Sequence, residues 1–117
     1  MNFPSSIKIH LATTHCDMRK SIDGLAWEVQ SRFDMDVLDG AVFVFYNRNK
    51  DKLKYIYYDG TGFCLFYKRL AKGRFKIPPL KNDCYQMSEA QLRLLLEGVE
   101  WSKIKPNRKQ NTVKCFE

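Results

Sequence analysis

Three carboxylates have the chemistry to hold a divalent cation for phosphoryl transfer: Asp17, Asp23 and Asp59. Hard cations take carboxylate oxygens, and nucleases use them in that way. Asp17 and Asp23, however, straddle the start of an expected helix, six residues apart, a spacing that does not share one face. Asp17 fits better as a helix N-cap, and Asp59, just before Gly60, as a turn former. His15 beside Cys16 pairs a base with a nucleophile by type, but chain neighbours seldom converge on one substrate atom. His10, His15 and Cys16 are possible zinc ligands, with no fourth at finger-like spacing. Gly60 and Gly62 alone are far too little for a nucleotide fingerprint. The chain therefore reads as a binding protein, not an enzyme, with no catalytic residues, metal or cofactor expected.

What remains is positive charge, and its distribution says more than its total of +7. Residues 1–47 hold four Lys or Arg against six Asp or Glu, and residues 77–102 hold two against four. Residues 48–76 hold nine against two, and residues 103–117 hold five against one. Charge gathered into blocks suits a polyanion-binding face. The expected contacts are Arg48, Lys50, Lys52 and Lys54 on a hairpin and Lys68, Arg69 and Lys72 on a helical turn. Arg74 and Lys76 on a following strand complete the block. Arg19 and Lys20 add an anion site at a helix N-terminus, where free N–H groups point outward.

These residues need elements to position them. Ile7, Ile9 and Leu11 alternate with polar residues, the period of a strand. From Met18 the period changes: Met18, Ile22, Leu25, Ala26, Val29 and Phe33 line one face of a helix. Ala41–Tyr46 and Leu53–Tyr58 are dense in β-branched and aromatic residues, and the polar segment Asn47–Lys52 between them makes a basic hairpin tip. Phe63–Tyr67 lacks alternation, which predicts a strand buried on both faces. Lys68–Gly73 resembles one helical turn, Arg74–Ile77 a strand, and Cys84–Met87 another. Ser88 and Gln91 form a capping box ahead of a leucine-rich helix. The sum is an α+β fold, a small antiparallel sheet of about four to six strands packed against two helices.

Residues 1–102 are expected to make one domain, with 103–117 a basic, flexible tail. No apolar run approaches a membrane span, and no export signal is visible at Met1–Pro4, so no membrane partner is expected. Cys16, Cys64, Cys84 and Cys115 lack any C-x-x-C pair and are expected as free thiols in a reducing compartment.

Seven strings in order carry a family resemblance. They are Thr14–Lys20, Asp23-Gly24-Leu25, Val42–Phe45, Asp59–Gly62, Leu65–Leu70, Gly73-Arg74-Phe75 and Leu95–Gly98. Together they resemble the small accessory protein, often called TnpB, of bacterial insertion sequences of the IS66 type, which is distinct from the RNA-guided nucleases sharing that label. The resemblance spans Ile7 to Trp101 and implies a bacterial cytoplasmic protein encoded beside a separate transposase and serving transposition. It makes insertion-sequence ends the expected DNA and the transposase a possible partner. The alternative it leaves open is a protein–protein adaptor that positions the transposase without reading DNA. The family pattern commonly carries Trp where this chain has Tyr57, Tyr58 and Ile77, which argues against an indole stacking on a base at those positions.

Overall fold

The structure, a computed structural model, describes Phe3 and residues 6–103. Five strands form one sheet in the order β4-β3-β2-β1-β5: β1 (Ile9–Ala12), β2 (Val42–Tyr46), β3 (Lys52–Tyr58), β4 (Phe63–Arg69) and β5 (Cys84–Met87). Two helices, α1 (Ile22–Phe33) and α2 (Glu89–Leu96), complete the α+β architecture, with a short 3-10 turn at Val37–Asp39. The sheet is mixed rather than antiparallel throughout. β1 and β2 run parallel, with Ile9 opposite Val42, because α1 carries the chain back between them. The other three neighbouring pairs are antiparallel.

The helices lie on opposite faces. On one, the Phe33 ring of α1 stacks on Phe43 and Phe45 at 5.9 and 5.7 Å. On the other, Lys68 of β4 donates to the Leu96 carbonyl at the end of α2, and Tyr85 meets Trp101 edge-on. Leu25 and Val29 of α1, and Leu92 and Leu95 of α2, are fully buried against the sheet. The capping box forms as expected: Ser88 Oγ accepts from the Gln91 amide, and Gln91 Oε1 accepts from that of Ser88.

Several local expectations need correction. β4 is an edge strand, with Phe63 and Tyr67 exposed by 37% and 50%, not a strand buried on both faces. Its unbroken apolar run reflects one face on the core and exposed aromatics on the other. It also extends through Lys68 and Arg69, replacing the predicted helical turn with cross-strand pairs to Leu53 and Lys52. Arg74–Ile77 is no strand; it is irregular chain fastened by the Phe75 amide to the Lys50 carbonyl and by the buried Phe75 ring. α1 begins at Ile22 after Ser21, four residues later than the apolar period suggests. Asp17 accordingly caps its own turn, accepting from the Arg19 amide at 2.9 Å, instead of capping the helix. Cys16 and Cys64 are free thiols, as expected. Except for Lys103, the expected tail lies outside the described residues. No helix among the described residues is long and apolar enough to cross a membrane.

Candidate nucleic-acid interface

Strand directions sort the charge. The ends of β1, β2 and β4 and the starts of β3 and β5 lie at one edge of the sheet. The segments joining them there, 13–21, 47–52 and 69–83, carry ten Lys or Arg against three Asp. The opposite edge, made by residues 6–8, 34–41, 59–62 and 88–89, carries five Asp or Glu against one Lys. The strand connections at the two edges of the sheet are thus oppositely charged, while the chain after α2 brings Glu97 and Glu100 back to the basic edge, where Trp101 Nε1 donates to the Lys76 carbonyl. Such a separation orients a protein in the field of a polyanion.

An open cleft of about 700 Å³ lies at the basic end. The β1–α1 connection lines one side with His15, Asp17 and Arg19; the hairpin tip lines the other with Asn47, Arg48 and Asn49; Lys52 and Tyr67 also line it. The tip is held stiffly. Asn47 Oδ1 accepts from the Asp51 and Lys52 amides, and its Nδ2 donates to Asp51 Oδ1 at 2.6 Å. That contact holds the Asp51 carboxyl below its usual range, and the loop presents Arg48 and Asn49 outward. The facing connection is held from α1. Arg32 donates to the Thr14 carbonyl and hydroxyl and to the His15 carbonyl, all within 3.1 Å. Buried Glu28 accepts from both Arg32 and Lys20, at 2.5 and 2.9 Å. Burial pushes the Glu28 carboxyl up, but these two cations outweigh it and leave it lowered.

Of the eleven predicted contacts, the structure brings Arg19, Arg48 and Lys52 into the cleft. Arg69 stands beside Lys52 across the β3–β4 pair, and Lys72, Arg74 and Lys76 are exposed on the adjoining segment. Arg19 is 92% exposed but pairs with Asp17 at 2.7 Å, and that guanidinium holds the carboxyl down at about 2. Four lysines serve the fold. Lys54 is buried, donates to the Lys20 carbonyl at 2.8 Å and lies over the Tyr67 ring. Lys50 donates to the Ile77 carbonyl, Lys68 to that of Leu96, and Lys20 pairs with Glu28. Lys50, Lys52 and Lys54 therefore do not act as one basic face. Strand alternation does not apply to Lys50, which sits in the turn with φ 61°, and it places Lys54 against α1.

The carboxylates considered for a cation are dispersed. Asp17 lies at the basic end; Asp59 lies at the opposite one, its Oδ1 accepting from the amides of Thr61 and Gly62 in a tight turn. His15, Asn47, Asn49 and Tyr67 line the cleft although the sequence reading did not place them among the expected contacts. Their signal is tertiary, since it depends on which edge of the sheet each loop reaches.

The sequence model of a family described as IS66 Orf2 like protein matches residues 7–106. Two relatives come from Sinorhizobium fredii (strain NBRC 101917 / NGR234). The uncharacterized protein y4hO is 43% identical over 96 residues, 82% of this chain and 84% of that protein. The uncharacterized protein y4jC is 36% identical over 99 residues, 85% of each. No solved structure matches.

Proposed function

The chain belongs to the IS66 Orf2-like family and is an insertion-sequence accessory protein, and from that premise we propose that it binds DNA through the basic end of its sheet. The observation that carries this reading is the convergence of three loops far apart in sequence on one edge, with ten cations against three carboxylates. Arg48, Lys52, Arg69, Lys72, Arg74 and Lys76 supply about six phosphate contacts, so log K should fall with log salt at a slope near −5 on duplex DNA. Phosphate contacts fix position, while sequence preference needs base contacts, for which Asn47 and Asn49 are the available amides. A gel shift of the insertion sequence's own ends against random DNA at several salt concentrations tests both points. A slope shallower than about −2 refutes the reading, because it leaves the charge concentration without a partner.

A second reading, the transposase adaptor, draws on the other end of the molecule. Leu38 is 54% exposed within the acidic 34–41 segment, and Phe63, also exposed, opens β4 at that end. Apolar groups ringed by carboxylates suit a protein partner better than a nucleic acid. Capture of the transposase that survives nuclease and high salt, and is lost with Leu38→Asp, supports it. Capture abolished by nuclease refutes it.

A further inference from the structure

Two exposed aromatic rings, one lining the cleft and one reached from it through Lys20, are not explained by phosphate binding. Trp27, on α1, is 62% exposed, and Tyr67, on β4, is 50% exposed. Each has an ammonium at its face: Lys20 Nζ lies 5.3 Å from the Trp27 ring centre, and Lys54 Nζ lies 5.2 Å from that of Tyr67. The two units are joined, because Lys54 Nζ also donates to the Lys20 carbonyl. Tyr67 lines the cleft with Arg19, Arg48 and Lys52, and Lys20, which follows Arg19 in the chain, carries the linked pair from there to Trp27 on α1. Exposed indole and phenol rings beside cations are the elements of a single-strand binding surface, in which bases stack on rings while cations follow the backbone.

Resting on the reading of the basic end as a DNA site, we infer that this surface takes an unpaired DNA strand, stacking its bases on Tyr67 and Trp27 while Arg48, Lys52 and Arg19 hold its phosphates. A duplex keeps its base faces inside the stack and cannot offer them to the rings, so the arrangement favours melted or single-stranded DNA. The lysines at the ring faces pre-organise the platform: Lys54 is fixed by its bond to the Lys20 carbonyl, and Lys20 by Glu28.

The chain carries its own reporter. It has two tryptophans, Trp27 at the surface and Trp101 with no exposure, so quenching on binding isolates Trp27. The full chain is titrated with a thymidine oligomer of about 20 nucleotides and with a duplex of the same length. Expected results are quenching by the single strand, an affinity for it about ten-fold lower in Trp27→Ala and in Tyr67→Ala, a smaller loss on the duplex in each, and Tyr67→Phe near wild type. Circular dichroism establishes that each variant is folded, as the exposure of both side chains predicts. Wild-type single-strand affinity in both alanine variants overturns the inference and leaves duplex binding standing. Equal losses on single strand and duplex also overturn it, since the rings then support the cleft in general. Failure of both DNA forms to bind overturns the DNA reading, and this inference with it.

Discussion

Glu28 offers the sharpest separation between charge and geometry at the basic end. Its carboxylate, 7% exposed, holds Lys20 and Arg32, and Arg32 holds the Thr14 and His15 carbonyls of the loop that lines the cleft. Glu28→Gln keeps the shape but removes the charge both cations answer. An exposed pair is worth up to about 1 kcal/mol, and breaking a buried one costs about 3–5 kcal/mol. With the carboxylate buried and its partners 33% and 27% exposed, about 2 kcal/mol is the appropriate scale. For a domain of this size that lowers Tm by about 10 °C, measurable by thermal denaturation. DNA affinity gives the discriminating sign. The substitution makes the protein more positive by one unit, which by Coulomb attraction alone tightens DNA binding. If Glu28 acts by holding the loop, binding weakens despite the added charge. Arg32→Lys repeats the test at constant charge, since a lysine cannot reproduce the guanidinium fork that spans Thr14 and His15. Unchanged Tm together with tighter binding by Glu28→Gln refutes the argument.

The remaining predictions concern the lysines and the buried imidazole. Arg48→Ala should lower the salt slope of DNA binding by about one, whereas Lys54→Met should leave the slope unchanged and destabilise the fold by about 1–3 kcal/mol through the orphaned Lys20 carbonyl. A slope reduced equally by both substitutions contradicts the assignment of Lys54 to the interior. His10 is buried against the Phe43 ring, and burial, helped by Lys8, pulls its pKa from 6.5 down to about 4. The unfolded chain therefore binds the extra proton first, so stability is lost as pH falls from about 6.5 towards about 4, by at most about 3 kcal/mol. Denaturant titrations across that range read the loss directly, and imidazole protonation above pH 6 in the folded protein, followed by NMR, contradicts it.

The elements that the sequence placed well are those whose signal is local. The Ser88–Gln91 box closes within one turn, and the apolar face of α1 needs only its own spacing. The basic tip between β2 and β3 is a hairpin because its turn formers and flanking strands adjoin one another. The errors fall where a neighbour decides. Phe63–Tyr67 has the composition of a central strand, and only the sheet order makes it an edge. Lys68 and Arg69 leave the helical turn because Leu53 and Lys52 offer a ladder. Lys54 looks like one more cation of a basic run until the β1–α1 connection brings the Lys20 carbonyl to it. Charge counting along the chain therefore overstated the number of cations free for a ligand.

The same topology explains why a parallel β1–β2 pair matters to the site. Because α1 returns the chain across the sheet, the ends of β1 and β2 fall at the same edge, and the Thr13–Ser21 connection comes to face the β2–β3 tip. An antiparallel pairing of those two strands places that connection at the acidic edge instead, removing Arg19 and His15 from the cleft. Cys16 fastens the arrangement, its amide donating to the Tyr46 carbonyl at the end of β2 at 2.8 Å. The cleft is thus a product of strand direction as much as of residue type. Its two walls are rigid for separate reasons, Asn47 within the hairpin and the Glu28–Arg32 pair beneath the loop. On the proposed reading, a DNA strand lying between them meets walls whose backbones are held before it arrives, which limits the ordering cost of binding.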